Sequence, residues 1–209
     1  MMPLILICGI PGSGKTTRAK KIKEFLEVEH NCKVIHINEE NLELNKQEAY
    51  KDFQAEKFTR GYLKSNVEKN LTNQAVIILD SLNYIKGYRY EMFCLARSNK
   101  TQHCVIYCEA DIKIAREYNQ QNQNNFTEDM LVDYSSRMEI PNQKNRWDSP
   151  LFHLRINEQT PCQEIANVLL FQTKKSKDPV STAPVIKIIQ KKKKIIQGNI
   201  VRCQFFIRD

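Results

Sequence analysis

The 209 residues of this chain carry a formal net charge of +8 at pH 7, and 41% of them are hydrophobic. This is enough for one α/β domain with a complete core and an appendage. No apolar stretch approaches the roughly 20 residues of a transmembrane helix, and the N-terminal apolar run is too short for a signal peptide, so we expect no membrane partner. The seven cysteines are scattered without a C-x-x-C pair, which predicts packing roles and a reducing compartment, the cytosol or the nucleus.

The positive charge is concentrated at one end of the chain. Residues 172–209 hold ten basic side chains against two acids, which leaves 22 basic and 22 acidic residues in 1–171. We therefore predict a neutral domain over 1–171 and a lysine-rich, disordered linker and tail over 172–209. The four lysines at 191–194 could bind a phosphate backbone, act as a nuclear-import signal, or belong to a solvated tail.

Residues 9–16, Gly-Ile-Pro-Gly-Ser-Gly-Lys-Thr, are the strongest local signal. They fit the phosphate-loop pattern of Gly, four free positions, then Gly-Lys-Ser/Thr. The glycines let backbone N–H groups approach phosphate oxygens, Lys15 adds positive charge for the β- and γ-phosphates, and the Thr16 hydroxyl suits Mg²⁺. The predicted ATP-binding residues are Gly9, Ile10, Pro11, Gly12, Ser13, Gly14, Lys15, Thr16 and Thr17.

The surrounding elements support a P-loop NTPase. An apolar run at 4–8 predicts a buried parallel strand, and an amphipathic helix follows the loop. A later strand, 75–80, ends at Asp80, where P-loop proteins place a carboxylate beside the metal. We predict that Lys15 and Asp80 are catalytic, and that Thr16 and Asp80 hold Mg²⁺, Asp80 through a water. Further strands at 33–37, 103–108 and 151–156 complete a doubly wound, nucleotide-kinase-like sheet of about five mostly parallel strands.

Polar residues follow two of these strands at the edge where open α/β sheets bind ligands. Glu39 or Glu40 could position Mg²⁺, a water or an acceptor hydroxyl. Ser81, Asn83 and Arg89 could meet the nucleotide or its acceptor. Three tyrosines of the same stretch could stack on a base or pack between helix and sheet, namely Tyr84, Tyr88 and Tyr90.

A helix–loop–helix segment is predicted between the fourth and fifth strands. Its Asn- and Gln-rich run, 119–125, predicts a mobile loop, and Thr127 predicts a helix start. Nucleotide kinases keep a lid at this place that closes arginines over the phosphates. We predict catalytic roles for Arg137 and Arg146, with Arg116 as a further candidate. Two residues elsewhere leave alternatives open. Arg60 could contact a phosphate or be a solvated surface side chain. Trp147 could contact adenine or pack against the protein.

Several stretches together resemble the Elongator-associated P-loop ATPases first named for killer-toxin insensitivity. The resemblance covers roughly residues 1–171 and is most specific after Asp80 and before Phe152. The matching stretches are 2–5 with the phosphate loop, 55–57 with Arg60 and Ser65, 79–90, and 145–152.

The resemblance implies a nucleotide-kinase-like ATPase whose relatives bind tRNA and the Elongator complex and support modification of the tRNA wobble uridine. The seryl-tRNA kinases of selenocysteine synthesis are cousins. Two departures stand out. Members usually continue into a helical C-terminal domain that contributes to tRNA binding. Here the lysine-rich tail replaces or truncates that domain. We therefore expect weakened tRNA binding. Tyr118-Asn119 also stands where the family has Trp-Asn.

We therefore predict a Mg²⁺-dependent ATPase that works with Elongator in tRNA modification, as a monomer in the cytosol and also in the nucleus. Two alternatives stay open. The protein is a kinase for seryl-tRNA or a small-molecule hydroxyl, with Glu39 or Glu40 accepting the proton, or it is a nucleotide-gated adaptor with negligible turnover.

Overall fold

We describe the protein from a computed structural model that covers residues 3–71 and 74–171. The predicted tail, 172–209, lies outside the described residues, so the division into two parts stays a prediction. Five strands form one sheet in the order β2-β3-β1-β4-β5, and all four strand pairings are parallel. The strands are β1 (Leu4–Cys8), β2 (Val34–Ile37), β3 (Val76–Asp80), β4 (His103–Glu109) and β5 (Leu151–Arg155). The predicted α/β fold is confirmed.

The central strands are apolar at almost every position because helices cover both faces of the sheet. Side chains alternate between the faces. In β1, Ile5 and Ile7 join one core with the first helix and the last one, whereas Leu4 and Leu6 join a second core with the third and fourth helices. The sheet is therefore doubly wound, as predicted.

The helices of the described part of the chain include the predicted one after the phosphate loop and the two of the predicted helix–loop–helix segment. None of them is long and apolar enough to cross a bilayer. They are α1 (Lys15–His30), α2 (Lys46–Ala49), α3 (Phe53–Asn70), α4 (Lys86–Ser98), α5 (Ile112–Gln120), α6 (Glu128–Ser136) and α7 (Cys162–Ala166), and α7 continues as a π-helix, Asn167–Phe171.

Residues 46–71 have a helical composition throughout, yet they form two separate helices, α2 and α3. Asn45 caps α2 by accepting the N–H groups of Gln47 and Glu48, and Asp52 caps α3 in the same way. Asn and Asp side chains compete for backbone N–H groups and so start helices more readily than they continue them. The break turns Tyr50 inward, where it is 4% exposed.

Side-chain hydrogen bonds attach the Asn- and Gln-rich loop between α5 and α6 to its surroundings, and its mobility stays a prediction. Asn119 donates to the carbonyl of Phe126 at 2.7 Å and accepts its N–H at 3.0 Å. Asn124 accepts the N–H of Lys46 at 2.8 Å and donates to the carbonyl of Leu44 at 3.0 Å. Amide side chains both donate and accept, so they can fasten irregular backbone. The predicted helix start after the loop is confirmed, since the Thr127 side chain caps α6.

Candidate nucleotide-binding site

The loop between β1 and α1 needs glycine for conformation and for packing. Gly9, Gly12 and Gly14 have φ angles of 152°, 73° and 81°, a region that glycine adopts without steric cost. A Cβ on Gly12 would lie 1.9 Å from the carbonyl oxygen of Ala115 in α5, and one on Gly9 would lie 2.5 Å from that of Cys108 in β4. The loop is therefore tightly curled and packed against two other elements.

Two polar groups of this loop are poorly satisfied by the protein itself. The hydroxyl of Ser13 is buried and has no hydrogen-bond partner among the described residues. The partly buried ammonium of Lys15 donates to the carbonyl of Ile10 in its own loop at 2.7 Å. Loss of solvent lowers the pKa of Lys15, and the nearby Asp80 carboxylate opposes that shift. A cation and a free hydroxyl in a cradle of glycines fit a phosphate group.

Asp80 ends β3 directly beside this loop. In the sheet it is in register with Ile7, two residues before Gly9. Its side chain is buried, and Oδ2 lies 3.0 Å from Nε2 of His36 in β2. Thr16 and Asp80 line the same cavity, and hydroxyl and carboxylate oxygens are the ligands that Mg²⁺ prefers. The residues present therefore fit the predicted metal site.

A second carboxylate, Glu39, is fixed in the same cavity. Its Oε1 accepts the hydroxyl of Tyr50 at 2.6 Å and that of Ser81 at 2.5 Å. Burial and the adjacent carboxylate raise the pKa of Tyr50 well above its usual value, so the phenol remains a donor. Glu40, in contrast, is 44% exposed and pairs with Lys46 at 3.1 Å. Of the two predicted glutamates, Glu39 is the one held in place.

These groups surround one cavity of about 540 Å³, a volume within the roughly 300–1,000 Å³ of small-molecule sites. Its walls come from the phosphate loop, the ends of β2 and β3, the loop between α5 and α6, and the segment after β5. Gly9 and Ile10 belong to the loop without lining the cavity. The predicted nucleotide- and metal-binding residues that do line it are Pro11, Gly12, Ser13, Gly14, Lys15, Thr16, Thr17 and Asp80, and the candidates Glu39, Glu40 and Ser81 line it as well.

Arg89 is a structural residue, which corrects the suggestion that it could meet the nucleotide. It is 1% exposed, and its Nε donates to Asp148 at 2.8 Å. Its Nη1 donates to the carbonyls of Asn83 at 3.0 Å and Tyr84 at 2.9 Å. Asp148, 0% exposed, also accepts two donors from the 142–145 segment. This ion pair joins the two stretches in which the family resemblance is most specific.

Ser81 and Asn83 have separate roles at this edge. Ser81 lines the cavity, next to Glu39. The Asn83 amide is buried and donates to the carbonyl of Ile7 at 2.6 Å, which ties the end of β3 to β1.

The aromatic side chains nearby pack against protein groups. Tyr84 and Tyr88 are buried. The Tyr90 ring meets the Trp147 indole edge-on at 5.4 Å between centroids, and the Lys86 ammonium lies 5.4 Å from the indole centroid. These four aromatic rings do not line the described cavity. Tyr84, Tyr88 and Trp147 thus show the predicted packing, whereas Tyr90, 49% exposed, neither packs between helix and sheet nor lines the cavity.

Arg137 is held in a cluster around the buried carboxylate of Glu56. Glu56 accepts the hydroxyl of Tyr84 at 2.7 Å, pairs with Arg60, and lies 3.4 Å from Nη1 of Arg137. The Arg137 guanidinium also stacks 4.6 Å from the Tyr134 ring centroid. Arg60 is therefore a structural partner of Glu56, whereas we predicted a phosphate contact or a solvated side chain. Arg137 does not line the cavity in this conformation, and its catalytic role stays a prediction.

The other two lid arginines lie on the surface. Arg116 of α5 pairs with Glu128 of α6 at 2.6 Å. Arg146 is exposed. Neither lines the described cavity, so the catalytic assignment of Arg146 also stays a prediction.

Sequence reasoning missed two buried polar residues. Arg18 falls on the polar side of the predicted first helix, yet it is 5% exposed and bonds the segment after β5. Glu56 looks like an ordinary helix-surface residue, yet it is 3% exposed. No local pattern marks either residue, because both are covered by segments that are distant in sequence.

Most cysteines of the described residues have the predicted packing roles, and Cys94, on the surface, is an exception. Cys8, Cys104 and Cys108 are buried and free, and Cys94 is exposed and free. No cluster of three or more His, Cys, Asp or Glu side chains that could hold a metal ion occurs in the described part of the chain.

The fold and site define a class of protein. A glycine-rich loop joins a buried strand to a helix, an aspartate ends the adjacent strand, and a helix–loop–helix segment contributes to the same cavity. This is the arrangement of a P-loop nucleotide-binding protein of the nucleotide-kinase type.

Comparison with known sequences gives the particular family. The family described as chromatin associated protein KTI12 matches residues 2–203, and the chain belongs to it, as the resemblance predicted. The chain is 41% identical over 170 residues to the KTI12 homolog of Xenopus laevis, an alignment covering 80% of this chain and 62% of that one. It is 34% identical over 201 residues to KTI12 of Saccharomyces cerevisiae, covering 91% and 64%. The chain thus spans slightly less than two thirds of the length of these relatives.

Solved structures agree on the fold. Kti12 of Chaetomium thermophilum, in complex with ADP-AlF3, matches with a TM-score of 0.68 and 32% identity, covering 78% of this chain and 94% of that one. The APS kinase CysC of Mycobacterium tuberculosis, in complex with AMPPNP and APS, matches with a TM-score of 0.60 and 13% identity over 80% and 96% of the two chains. At this low identity the kinase likeness shows the fold alone.

Proposed function

We propose that this protein binds Mg·ATP in the described cavity, hydrolyses it, and acts as an Elongator-associated factor in modification of the tRNA wobble uridine. The observation that carries the nucleotide part is the phosphate loop, where the Lys15 ammonium and the Ser13 hydroxyl are poorly satisfied until an anion binds. The Kti12 structure in complex with ADP-AlF3 supports it. The Elongator and tRNA part rests on the family resemblance.

Each residue has a role in this proposal. Lys15 leaves the Ile10 carbonyl and bonds the β- and γ-phosphates, while the N-terminal N–H groups of α1 bind the same anion. Thr16 and Asp80 would hold Mg²⁺, Asp80 through a water, and His36 keeps the Asp80 carboxylate oriented. When bound, Mg²⁺ neutralises charge on the transferring phosphoryl group. A lid arginine, Arg137 or Arg146, adds positive charge once the lid has moved.

The test is ATP turnover, with and without tRNA, by wild type and by Lys15→Ala. We expect a low basal rate, stimulation by tRNA, and a loss of about 10²–10³-fold in the variant, the usual size for removing a group that stabilises developing charge. Lys23→Ala is the matched control, because Lys23 is an exposed lysine of the same helix that pairs with Glu27.

The results separate the alternatives. An unchanged rate in Lys15→Ala would remove the catalytic assignment. ATP binding by wild type with turnover at background, even with tRNA present, would favour the nucleotide-gated adaptor.

A second candidate function is phosphoryl transfer to a hydroxyl of seryl-tRNA or a small molecule. The fixed carboxylate of Glu39 favours it, because a general base must lie in the cavity with a defined orientation. The acceptor oxygen would bond the γ-phosphorus, the bond from that phosphorus to the β–γ bridging oxygen would break, ADP would leave, and Glu39 would accept the hydroxyl proton. Product analysis with γ-labelled ATP distinguishes label released as inorganic phosphate from label bound to an acceptor.

The partners and location are also proposals. We propose binding to Elongator and to tRNA, the latter assisted by the lysines at 191–194. We also propose a monomeric state, no membrane partner, and residence in the cytosol and the nucleus. In the full chain, changing 191–194 to Gln should make the tRNA affinity less dependent on salt. The log–log slope should decrease by about 0.9 for every phosphate that these lysines neutralise. An unchanged salt slope would remove the tail from tRNA binding.

A further inference from the structure

A buried arginine from α1 holds the segment that follows β5. Arg18 donates from Nη1 to the carbonyl of Glu158 at 3.0 Å and to the Thr160 hydroxyl at 3.4 Å. Its Nη2 donates to the carbonyl of Arg155 and, at 3.5 Å, to that of Ile156. We call residues 156–161 the β5–α7 loop. One guanidinium thus bonds four acceptors, three in this loop and one at the end of β5.

The β5–α7 loop has little packing of its own. Residues 157–159 are exposed. Glu158 and Arg155 bond each other through backbone and carboxylate at 3.0 Å, which closes a turn without attaching it to the rest of the domain. Arg18 therefore fastens this turn to the helix that begins at Lys15.

The β5–α7 loop is also a wall of the nucleotide cavity, through Ile156, Glu158 and Thr160. Asp80 and Glu39 line the part of the cavity where the reacting end of the phosphate chain must lie. A nucleotide carries its nucleoside at the other end of that chain. The lining that remains for the nucleoside comes from the β5–α7 loop, from α1 including Arg18, from α5 and the loop after it, and from Lys46.

We propose that Arg18 is a positioning residue for the nucleoside of the bound nucleotide. By fixing the β5–α7 loop before binding, Arg18 provides a preformed wall for the base and ribose, so that ordering of the loop does not reduce the affinity. Arg18 then sets the affinity for the nucleoside part of the ligand and leaves the affinity for the phosphates unchanged. This inference rests on the proposed function, because it requires that the cavity bind a nucleotide.

The test compares ATP with inorganic tripolyphosphate, which shares the phosphates and lacks the nucleoside. Both are titrated calorimetrically, with Mg²⁺, into full-length wild type, Arg18→Met and Lys23→Met. We expect Arg18→Met to weaken ATP binding about tenfold, an ordering cost of about 1.4 kcal/mol, and to change tripolyphosphate binding less than twofold. Lys23→Met should change neither, because Lys23 lies on the same helix in a surface pair.

The ratio of the two affinities separates positioning from a merely structural role. Equal losses of ATP and tripolyphosphate binding in Arg18→Met, or no loss of either, would overturn the inference. If Arg18→Met does not fold, Arg18→Lys keeps the charge with fewer donors, and we expect the same selective loss at a smaller size, with equal losses again overturning it. Wild type that binds tripolyphosphate as tightly as ATP would show that no nucleoside wall exists. Wild type that binds neither ligand would refute the proposed function itself.

Discussion

The nucleotide cavity and the Arg89–Asp148 pair differ in whether their polar groups have hydrogen-bond partners within the protein. At the pair, both charges are buried and their donors and acceptors meet protein partners at 2.8–3.1 Å. In the cavity, the Ser13 hydroxyl has no partner among the described residues and Lys15 bonds a carbonyl of its own loop. The pair is thus satisfied by folding alone, whereas the cavity retains groups that a ligand would satisfy.

This difference matters for the resemblance to the KTI12 family. The stretches 79–90 and 145–152 contain residues that resemble a binding site, and the Arg89–Asp148 pair uses several of them to hold the domain together. Residues 9–16, in contrast, match the phosphate-loop pattern in sequence and form the tightly curled loop that lines the cavity. Variants in the two regions should therefore lose different properties.

The largest stability effect is expected at the ion pair. Asp148→Ala leaves the Arg89 guanidinium buried without its carboxylate, which should lower the free energy of unfolding by about 3–5 kcal/mol, measured by urea denaturation. Asp133→Ala is the control, because Asp133 pairs with Arg137 at the surface and should cost less than about 1 kcal/mol. A double variant with Arg89→Met and Asp148→Leu should recover much of the loss. Equal, small losses in both single variants would remove the contrast between the two regions.

The opposite pattern is expected in the cavity. Lys15→Met should abolish detectable ATP binding while leaving the melting temperature unchanged or raised, because it removes a cation whose charged form is disfavoured in the fold.

The pH dependence sharpens this prediction. In the folded state the pKa of Lys15 lies below its ordinary value of 10.5. Between these two pKa values the unfolded state binds more protons than the folded state. The free energy of unfolding of the wild type therefore increases as pH rises through that window. The advantage of Lys15→Met should therefore be largest below the folded pKa and shrink toward pH 10.5. A melting temperature well below wild type at pH 7 would contradict the prediction.

Substitution of Arg137 tests whether a lid residue that contacts protein groups also contributes to turnover in the cavity. Its side chain is 40% exposed, and without it the buried Glu56 carboxylate keeps Arg60 and Tyr84 as partners. Arg137→Met should therefore cost about 1 kcal/mol of stability, well below the cost of Asp148→Ala. If the catalytic prediction holds, turnover should fall at least about tenfold with little change in ATP affinity. Turnover equal to wild type would assign Arg137 to the Glu56 cluster alone.

The smallest effect concerns the thiols. Burial raises the pKa of Cys108 to about 11, whereas Cys94 is exposed, and thiolates are the reactive form. N-ethylmaleimide at neutral pH followed by peptide mass spectrometry should label Cys94 and spare Cys108, with ATP binding unchanged. Rapid labelling of Cys108 would show that β4 opens next to the phosphate loop.

Much of the fold and part of the site could be predicted because their signals are local. Continuous apolar runs mark strands covered on both faces, and the phosphate loop needs glycine at fixed spacing for its own backbone. The separation of α2 from α3 could not be predicted from composition, which is helical throughout, although Asn45 and Asp52 are helix-capping types. Arg89, Arg60 and Arg18 could not be assigned, since an arginine has the same local pattern whether it meets a ligand, the solvent or a buried carbonyl.

By itself the sequence determined the parallel α/β order, the phosphate cradle and the carboxylate at the end of β3, because each depends on neighbours within a few residues. Only the tertiary structure decided which polar residues are buried and form ion pairs or hydrogen bonds between distant segments. Arg89 and Asp148 are 59 positions apart, and Glu56 and Arg137 are 81 apart. Their burial depends on contacts between segments that chain packing alone brings together.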